Sequence, residues 1–418
     1  MPRPPLRDRL PHTPSLATLL SWGLAALITG CSSTPPAPAT PPAPPMPANG
    51  TPESQPAGSL ATPVSEPASA PIGATVSTPT APPTLAERTL TPRQDADADA
   101  YAERDDARQL ARELANSRQL DADWAWSVIS QARYTESVTR LMMPAATPTA
   151  KNWAAYRSRF IEPLRIKAGG QFWRTHQAAL QRAQDTYGVP ADIIAGVIGV
   201  ETIYGRNMGK YRVLDALTTL TLDFPRGRSD RSAFFRQELA EFLVMCREQG
   251  LEPTEVLGSY AGAIGWPQFM PSSIRKLAVD FDGDGHIDLV NSPVDAIGSV
   301  AHYLSAHGWR KEWPTHFEVT PPPEGPQRDT LLAPDIRPTF SASDMAQLGA
   351  TLPESGQRHP GPLALVLLHN AGRAPTLIAG TDNFYAITRY NQSSYYALAV
   401  IQLGEAVGKE NTRTNARP

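Results

Sequence analysis

Between residues 32 and 95 the chain carries no aromatic residue and consists mostly of Pro, Ala, Thr and Ser. Such a stretch offers too little apolar surface to offset the entropy of ordering it, so it cannot join a packed core. Of the 43 prolines of this 418-residue chain, 22 lie in the first 100 residues. A folded unit is therefore expected only from about residue 96 to about 410, and 31–95 reads as a disordered tether. As extended polyproline II, at ~3.1 Å per residue, it would reach at most ~190 Å.

The segment before the tether reads as an address. Arg3, Arg7 and Arg9 precede an apolar run from Leu16 to Ile28, thirteen residues long. A membrane-spanning helix needs about 20 apolar residues, so this is the hydrophobic part of a signal peptide covering 1–30. It ends in Leu27-Ile28-Thr29-Gly30-Cys31, which resembles a bacterial lipobox, with Cys31 as the lipidation site. Ser32 rather than Asp follows that Cys, which by resemblance to enterobacterial sorting points to the periplasmic face of the outer membrane.

Composition excludes several classes. Formal net charge is −3, with 38 Lys+Arg against 41 Asp+Glu and no long basic run. Nucleic-acid sites need clustered cations to displace counterions, so nucleic acid is not an expected partner. Two cysteines cannot build a disulfide framework or a multi-Cys zinc site. Lipidation of Cys31 would leave Cys246 alone, on the apolar stripe Leu239, Phe242, Leu243, Cys246, where it reads as a small buried hydrophobe.

From about residue 98 helical periodicity appears (Tyr101, Leu110, Leu114, Trp124, Val128, Ile129), and again around 170–187. The stretch 188–310 is expected to be mostly helical. A small region with some strand is expected at 315–384, from Pro321-Pro322-Pro323 and the short apolar runs Leu363–Leu368 and Phe384–Thr388. A last helix should begin near Ser393 or Ser394. The fold class is mainly α, with a minor β part.

One carboxylic acid stands out. Residues 188–205 form a nearly all-apolar helix, with Pro190 at its first position, Asp192 in its first turn and Gly205 at its end. Gly196 and Gly199 weaken it by roughly 1 kcal/mol each relative to Ala, a cost tolerated where something must approach closely. Glu201 is the ionisable group in its second half. Desolvation disfavours its charged form, raising its pKa and keeping a proton available to a glycosidic oxygen. The competing reading is a structural Glu paired with Arg206 or Lys210.

Glu201-Thr202-Ile203-Tyr204-Gly205-Arg206-Asn207-Met208-Gly209-Lys210, followed by Arg212–Leu217, resembles the catalytic segment of the lytic murein transglycosylase B family. Three further blocks agree in order: Gly258–Ser273, Asp280–Asp288 with Asp295–Val300, and Arg389–Ser393 with Tyr396–Val400. The resemblance implies a lysozyme-like helical core, about 188–310 plus 385–405. It implies a peptidoglycan lytic transglycosylase that cleaves the β-1,4 bond between N-acetylmuramic acid and N-acetylglucosamine, leaving 1,6-anhydro ends. It implies Glu201 as the sole acid/base, with Ser259, Gln268, Tyr390, Asn391, Tyr396 and Arg226 contacting the glycan. Phe224-Pro225-Arg226-Gly227-Arg228 departs from the family's Pro-Arg-Arg, so only Arg226 is carried over. Two other readings remain. A hydrolytic muramidase would need a second carboxylate at a defined separation, with Asp215 and Asp223 the nearest in sequence. A non-catalytic peptidoglycan-binding lipoprotein would keep the cleft without the chemistry.

Asp280, Asp282, Asp284 and Gly285 match positions 1, 3, 5 and 6 of an EF-hand loop. His286 would offer its carbonyl, Asp288 would act through water, and Asn291 replaces the usual bidentate Glu. The expected ligand is a weakly held structural Ca²⁺. Ser292, Pro293 and Asp295 then have the pattern of a capping box that starts the next helix.

Overall fold

The computed structural model describes residues 100–143 and 151–415. The expected signal peptide, Cys31 and the tether lie outside the described residues. Among those described, no helix is long and apolar enough to cross a membrane.

The acid-bearing helix, Ala191–Thr202, is the centre of the main core, with every residue except Asp192 buried. Gly196 is explained by the terminal helix, Ser394–Asn415, which packs across it. A Cβ on Gly196 would lie 2.3 Å from the Val400 carbonyl oxygen, and one on Gly404 would lie 2.2 Å from that of Asp192. Both helices thus need a bare backbone at the crossing. The helix stops earlier than its sequence implies. Ile203 and Tyr204 both take left-handed backbone (φ 53° and 56°) ahead of Gly205. Their amides turn back on the helix end, Ile203 donating to the Gly199 carbonyl and Tyr204 to that of Ile198. Pro190 precedes the first helical residue instead of occupying it.

The helices Asp105–Arg118, Ala122–Ile129 and Glu136–Met142 brace a second pair, Val213–Leu222 and Ser232–Gln249. Cys246 is fully buried in the latter, which ends at a left-handed Gly250. Two short strands, β1 (Tyr211–Arg212) and β2 (Leu257–Gly258), pair antiparallel. They bring the segment after Glu201 against the loop that carries Ser259.

A three-stranded antiparallel sheet, β3 (His316–Glu318), β4 (Ala364–Asn370) and β5 (Arg373–Gly380), has the order β3-β5-β4. Its alternate residues serve two cores. Ala364, Val366, Leu368 and Ile378 face the main core, while Leu365 and Ala379 join Phe317, Leu331, Met345 and Leu352 in a smaller one. Burial on both faces is why Leu363–Leu368 is apolar without alternation. The other apolar run, Phe384–Thr388, is helical and not strand-like: Thr381 caps the helix Asp382–Thr388 by accepting the Asn383 amide.

Candidate active site

Glu201 is 7% exposed, one residue before the end of its helix. The Tyr396 hydroxyl donates to its Oε1 at 2.5 Å. Burial pushes the carboxyl up to about 7, opposed by that hydrogen bond, which favours the charged form. Among the described residues no cation pairs with it: Arg206 and Lys210 are both exposed. The structural ion-pair reading therefore has no partner to supply it.

Phenols surround the carboxyl instead. Tyr396 stacks on Tyr390, with ring centroids 6.4 Å apart, and Tyr390 packs on Tyr303 at 4.5 Å and Phe269 at 5.7 Å. Burial first, and the Glu201 charge second, hold the Tyr390 and Tyr396 hydroxyls well above their usual range. The Tyr390 hydroxyl and Asn391 Oδ1 are buried without a hydrogen-bond partner. Unsatisfied buried polar atoms are rare and costly, and the Tyr390 hydroxyl, which feels the Glu201 charge, leaves one such atom free for a polar ligand. Sequence reading missed Tyr156, whose hydroxyl is pushed up by burial and by Glu201. It lies in a cluster with Trp153, Phe160 and Tyr395. Aromatics at 153, 156 and 160 have helical spacing, a pattern that in sequence reads as ordinary core.

The loop after β2 carries Ser259 and Gln268 and ties each to backbone. Ser259 Oγ accepts from the Ala263 amide at 3.0 Å and the Ala261 amide at 3.3 Å. Gln268, left-handed at φ 50°, donates from Nε2 to the Gly265 carbonyl at 2.8 Å and the Met208 carbonyl at 3.1 Å. Gly209 is required here, since a Cβ would lie 2.0 Å from the Gly258 carbonyl oxygen. Arg226 sits exposed on the turn after Leu222. Nearby Arg231 is half-buried, with Nη2 unpartnered and its guanidinium 4.7 Å from the Phe234 ring centroid. Burial, with Arg228 nearby, lowers it to about 10.

The two candidate second carboxylates are engaged elsewhere. Asp215 accepts the Arg133 amide at 3.0 Å and pairs with Arg212 at 3.4 Å. Asp223 accepts from the Tyr101 hydroxyl and from Arg104, both at 2.7 Å. Residues of the N-terminal segment, with Arg212, thus hold both acids as structural groups.

In the acidic loop, one carboxylate oxygen each of Asp280, Asp282 and Asp284 lie within 4.8 Å of one another. Asp280 accepts the Gly283 amide at 2.7 Å and the Gly285 amide at 2.8 Å. Asp288 does not join that trio. Asp288 accepts the Val290 and Asn291 amides and the Asn291 side chain, closing the end of the loop on itself. Ser292 caps the following helix, but Asp295 does not complete the capping box. Its buried carboxylate turns under the loop and accepts the Phe281 amide at 2.7 Å, Asp288 at 2.8 Å and Asp282 at 3.2 Å.

Residues 102–405 match the family model described as Transglycosylase SLT domain. Membrane-bound lytic murein transglycosylase B of Escherichia coli K12 is 42% identical over 315 residues, 73% of this chain and 84% of that protein. The E. coli lytic transglycosylase Slt35, solved in complex with calcium, superposes with a TM-score of 0.66 at 39% identity, covering 78% of this chain and 100% of that one. SltB3 of Pseudomonas aeruginosa, solved with NAG-anhNAM-pentapeptide, gives 0.60 at 29% identity, covering 72% and 78%. With its buried, cation-free acid, its helical core and these likenesses, the chain belongs to the transglycosylase SLT domain family and is a lytic murein transglycosylase.

Proposed function

We propose that Glu201 is the acid and the base of this reaction. Its proton passes to the glycosidic oxygen that leaves C1 of N-acetylmuramic acid. The C1–O bond breaks, and the muramyl O6 forms a new bond to C1. The O6 proton returns to the Glu201 carboxylate. The product is a 1,6-anhydro sugar, lighter by one water than a hydrolysis product, and the enzyme ends as it began. The observation that carries this reading is a buried carboxyl near pKa 7 with a phenol, and no cation, against it. With Asp215 and Asp223 tied to the N-terminal segment, the two-carboxylate arrangement of ordinary glycosidases finds no support. Tyr390, Asn391 and Tyr396 would meet the acetamido sugars from one side, and Ser259, Gln268 and Arg226 from the other. Mass spectrometry of products from purified peptidoglycan tests the chemistry. Anhydro-muropeptides that vanish in Glu201→Gln support it; hydrated products would overturn it.

Calcium fits the acidic loop. The carboxylates of Asp280, Asp282 and Asp284 converge, all oxygen donors suited to a hard cation, and would hold Ca²⁺ with the His286 carbonyl. Asp288 and Asn291 would shape the loop around it. Bound Ca²⁺ would supply charge neutralisation and rigidity, with no part in the bond cleavage. A lipid anchor on Cys31 at the outer membrane would complete the arrangement, letting the enzyme work the wall from a tether. Metabolic labelling with a radioactive fatty acid, absent in Cys31→Ala, tests the anchor.

A further inference from the structure

Trp266 touches three parts of the site at once. Its carbonyl accepts the Thr202 hydroxyl at 3.0 Å, and Thr202 directly follows Glu201 in the sequence and is fully buried. The same Thr202 oxygen accepts the Gly205 amide at 3.0 Å, so it fixes the turn that ends the acid helix. On its other side, the Trp266 amide donates to the Leu289 carbonyl at 2.9 Å and its indole Nε1 to the Val290 carbonyl at 3.0 Å. Those two carbonyls belong to the last turn of the acidic loop. The indole itself fills the space over Gly205, where a Cβ would lie 2.6 Å from the ring. Gly265, the residue before, is equally constrained: a Cβ there would lie 2.3 Å from the Leu289 carbonyl oxygen. Two residues after Trp266, Gln268 folds back onto the Gly265 carbonyl.

This chain of bonds is continuous. Asp295 holds the Phe281, Asp282 and Asp288 amides, and so sets where the loop exits at Leu289 and Val290. Trp266 is seated on that exit and carries Thr202 and the Gln268 turn with it. We propose that Trp266 is a positioning residue, which couples the register of the acidic loop to the placement of the Glu201 carboxyl and the Gln268 amide. The proposal rests on Glu201 as the acid/base, so its test includes a readout that needs no catalysis.

The experiment is a double-mutant cycle on the full chain at one fixed calcium concentration, with Trp266→Phe and Asp295→Asn. Phe keeps an aromatic ring and both main-chain bonds and removes the Nε1 donor, together with part of the indole that fills the space over Gly205. Each single variant is expected to lower kcat about 3- to 10-fold with KM within twofold, since small misplacements at a reacting centre act on kcat. The double variant should be no worse than the weaker single, because both cut one path. Amide hydrogen exchange supplies the second readout. Asp295→Asn should speed exchange at 202–205 as well as in the loop, whereas in the Trp266→Phe background its effect should stay within 280–291. Losses in kcat that multiply, or exchange at 202–205 that responds equally in both backgrounds, would overturn the coupling. Coupled exchange with unchanged kcat would uphold the coupling and instead count against Glu201. If Asp295→Asn does not fold, Asp282→Asn in the exposed half of the loop takes its place.

Discussion

Two sites in this enzyme use the same functional group in opposite ways. Glu201 is buried among phenols, and burial raises its carboxyl to about 7. Asp280 is exposed in the acidic loop, and the Gly285 amide, helped by those of Gly283 and Asp284, pulls its carboxyl below the usual range. One site stores a proton by withholding water and cations. The other holds charge by offering amides, and the proposed calcium would meet three such carboxylates. The difference teaches that a carboxylate's role follows from what faces it: removing solvent makes an acid, and adding donors makes a ligand.

The strongest way to break this comparison is to remove the proton. Glu201→Gln should lower turnover of purified peptidoglycan by about 10²–10⁴, the usual range for a general acid–base group. Retained turnover within tenfold would end the assignment. Next in size is Tyr396→Phe. Loss of a hydrogen bond to a charged acceptor costs about 1.5–3 kcal/mol, so kcat should fall roughly tenfold or more. The sign of its pH effect follows from the bond. Tyr396 favours the ionised carboxylate, so removing it raises the Glu201 pKa above about 7. The falling alkaline limb of the kcat profile, expected near 7 in the wild type, should move to higher pH. A limb that moves down would mean that the phenol acts otherwise.

The same carboxyl should leave a mark on stability. In the folded protein Glu201 keeps its proton to about 7, whereas an unperturbed Glu releases it near 4.5. Between those values the unfolded state gains relative to the folded one as pH rises, so wild-type stability declines through this window. Glu201→Gln should escape the decline, becoming more stable than wild type by at most about 3 kcal/mol above pH 7, with no gain below pH 4.5. Urea unfolding at pH 4 and pH 8 measures it, and a gain independent of pH would refute the burial argument. The smallest effect belongs to the loop. With a calcium Kd of ~10⁻⁴–10⁻³ M, chelation from 10 mM Ca²⁺ should remove about 1–3 kcal/mol and lower Tm by a few degrees. Asp282→Asn should abolish most of that difference, and an unchanged midpoint on chelation would remove calcium from the account.

Much of this was legible in the sequence because it is written in local pattern. The apolar run around Glu201, the Asp-Gly-Asp-Gly spacing and the terminal helix beginning near Ser394 each depend on neighbours a few residues apart. What failed depended on distant partners. Asp295 looked like half of a capping box because Ser292 lies three residues before it, yet amides on the far side of the loop claim it. Phe384–Thr388 looked like a strand by composition, and Thr381 together with packing against the main core made it a helix. Tyr156 had the spacing of a core stripe, and only folding placed it near an acid 45 positions along the chain (201 − 156).

The sequence by itself determined where folding can begin, which carboxylic acid would lie in an apolar helix and which loop could gather charge. Each is set by hydrophobic period, turn chemistry or charge density along a short stretch. Only the tertiary structure decided that Gly196 of the acid helix serves the Val400 backbone, that Tyr396 rather than a cation faces Glu201, and that Trp266 joins that helix to the acidic loop. Those contacts link residues from tens to just over two hundred positions apart. Their geometry comes from how whole elements pack, which no local pattern encodes.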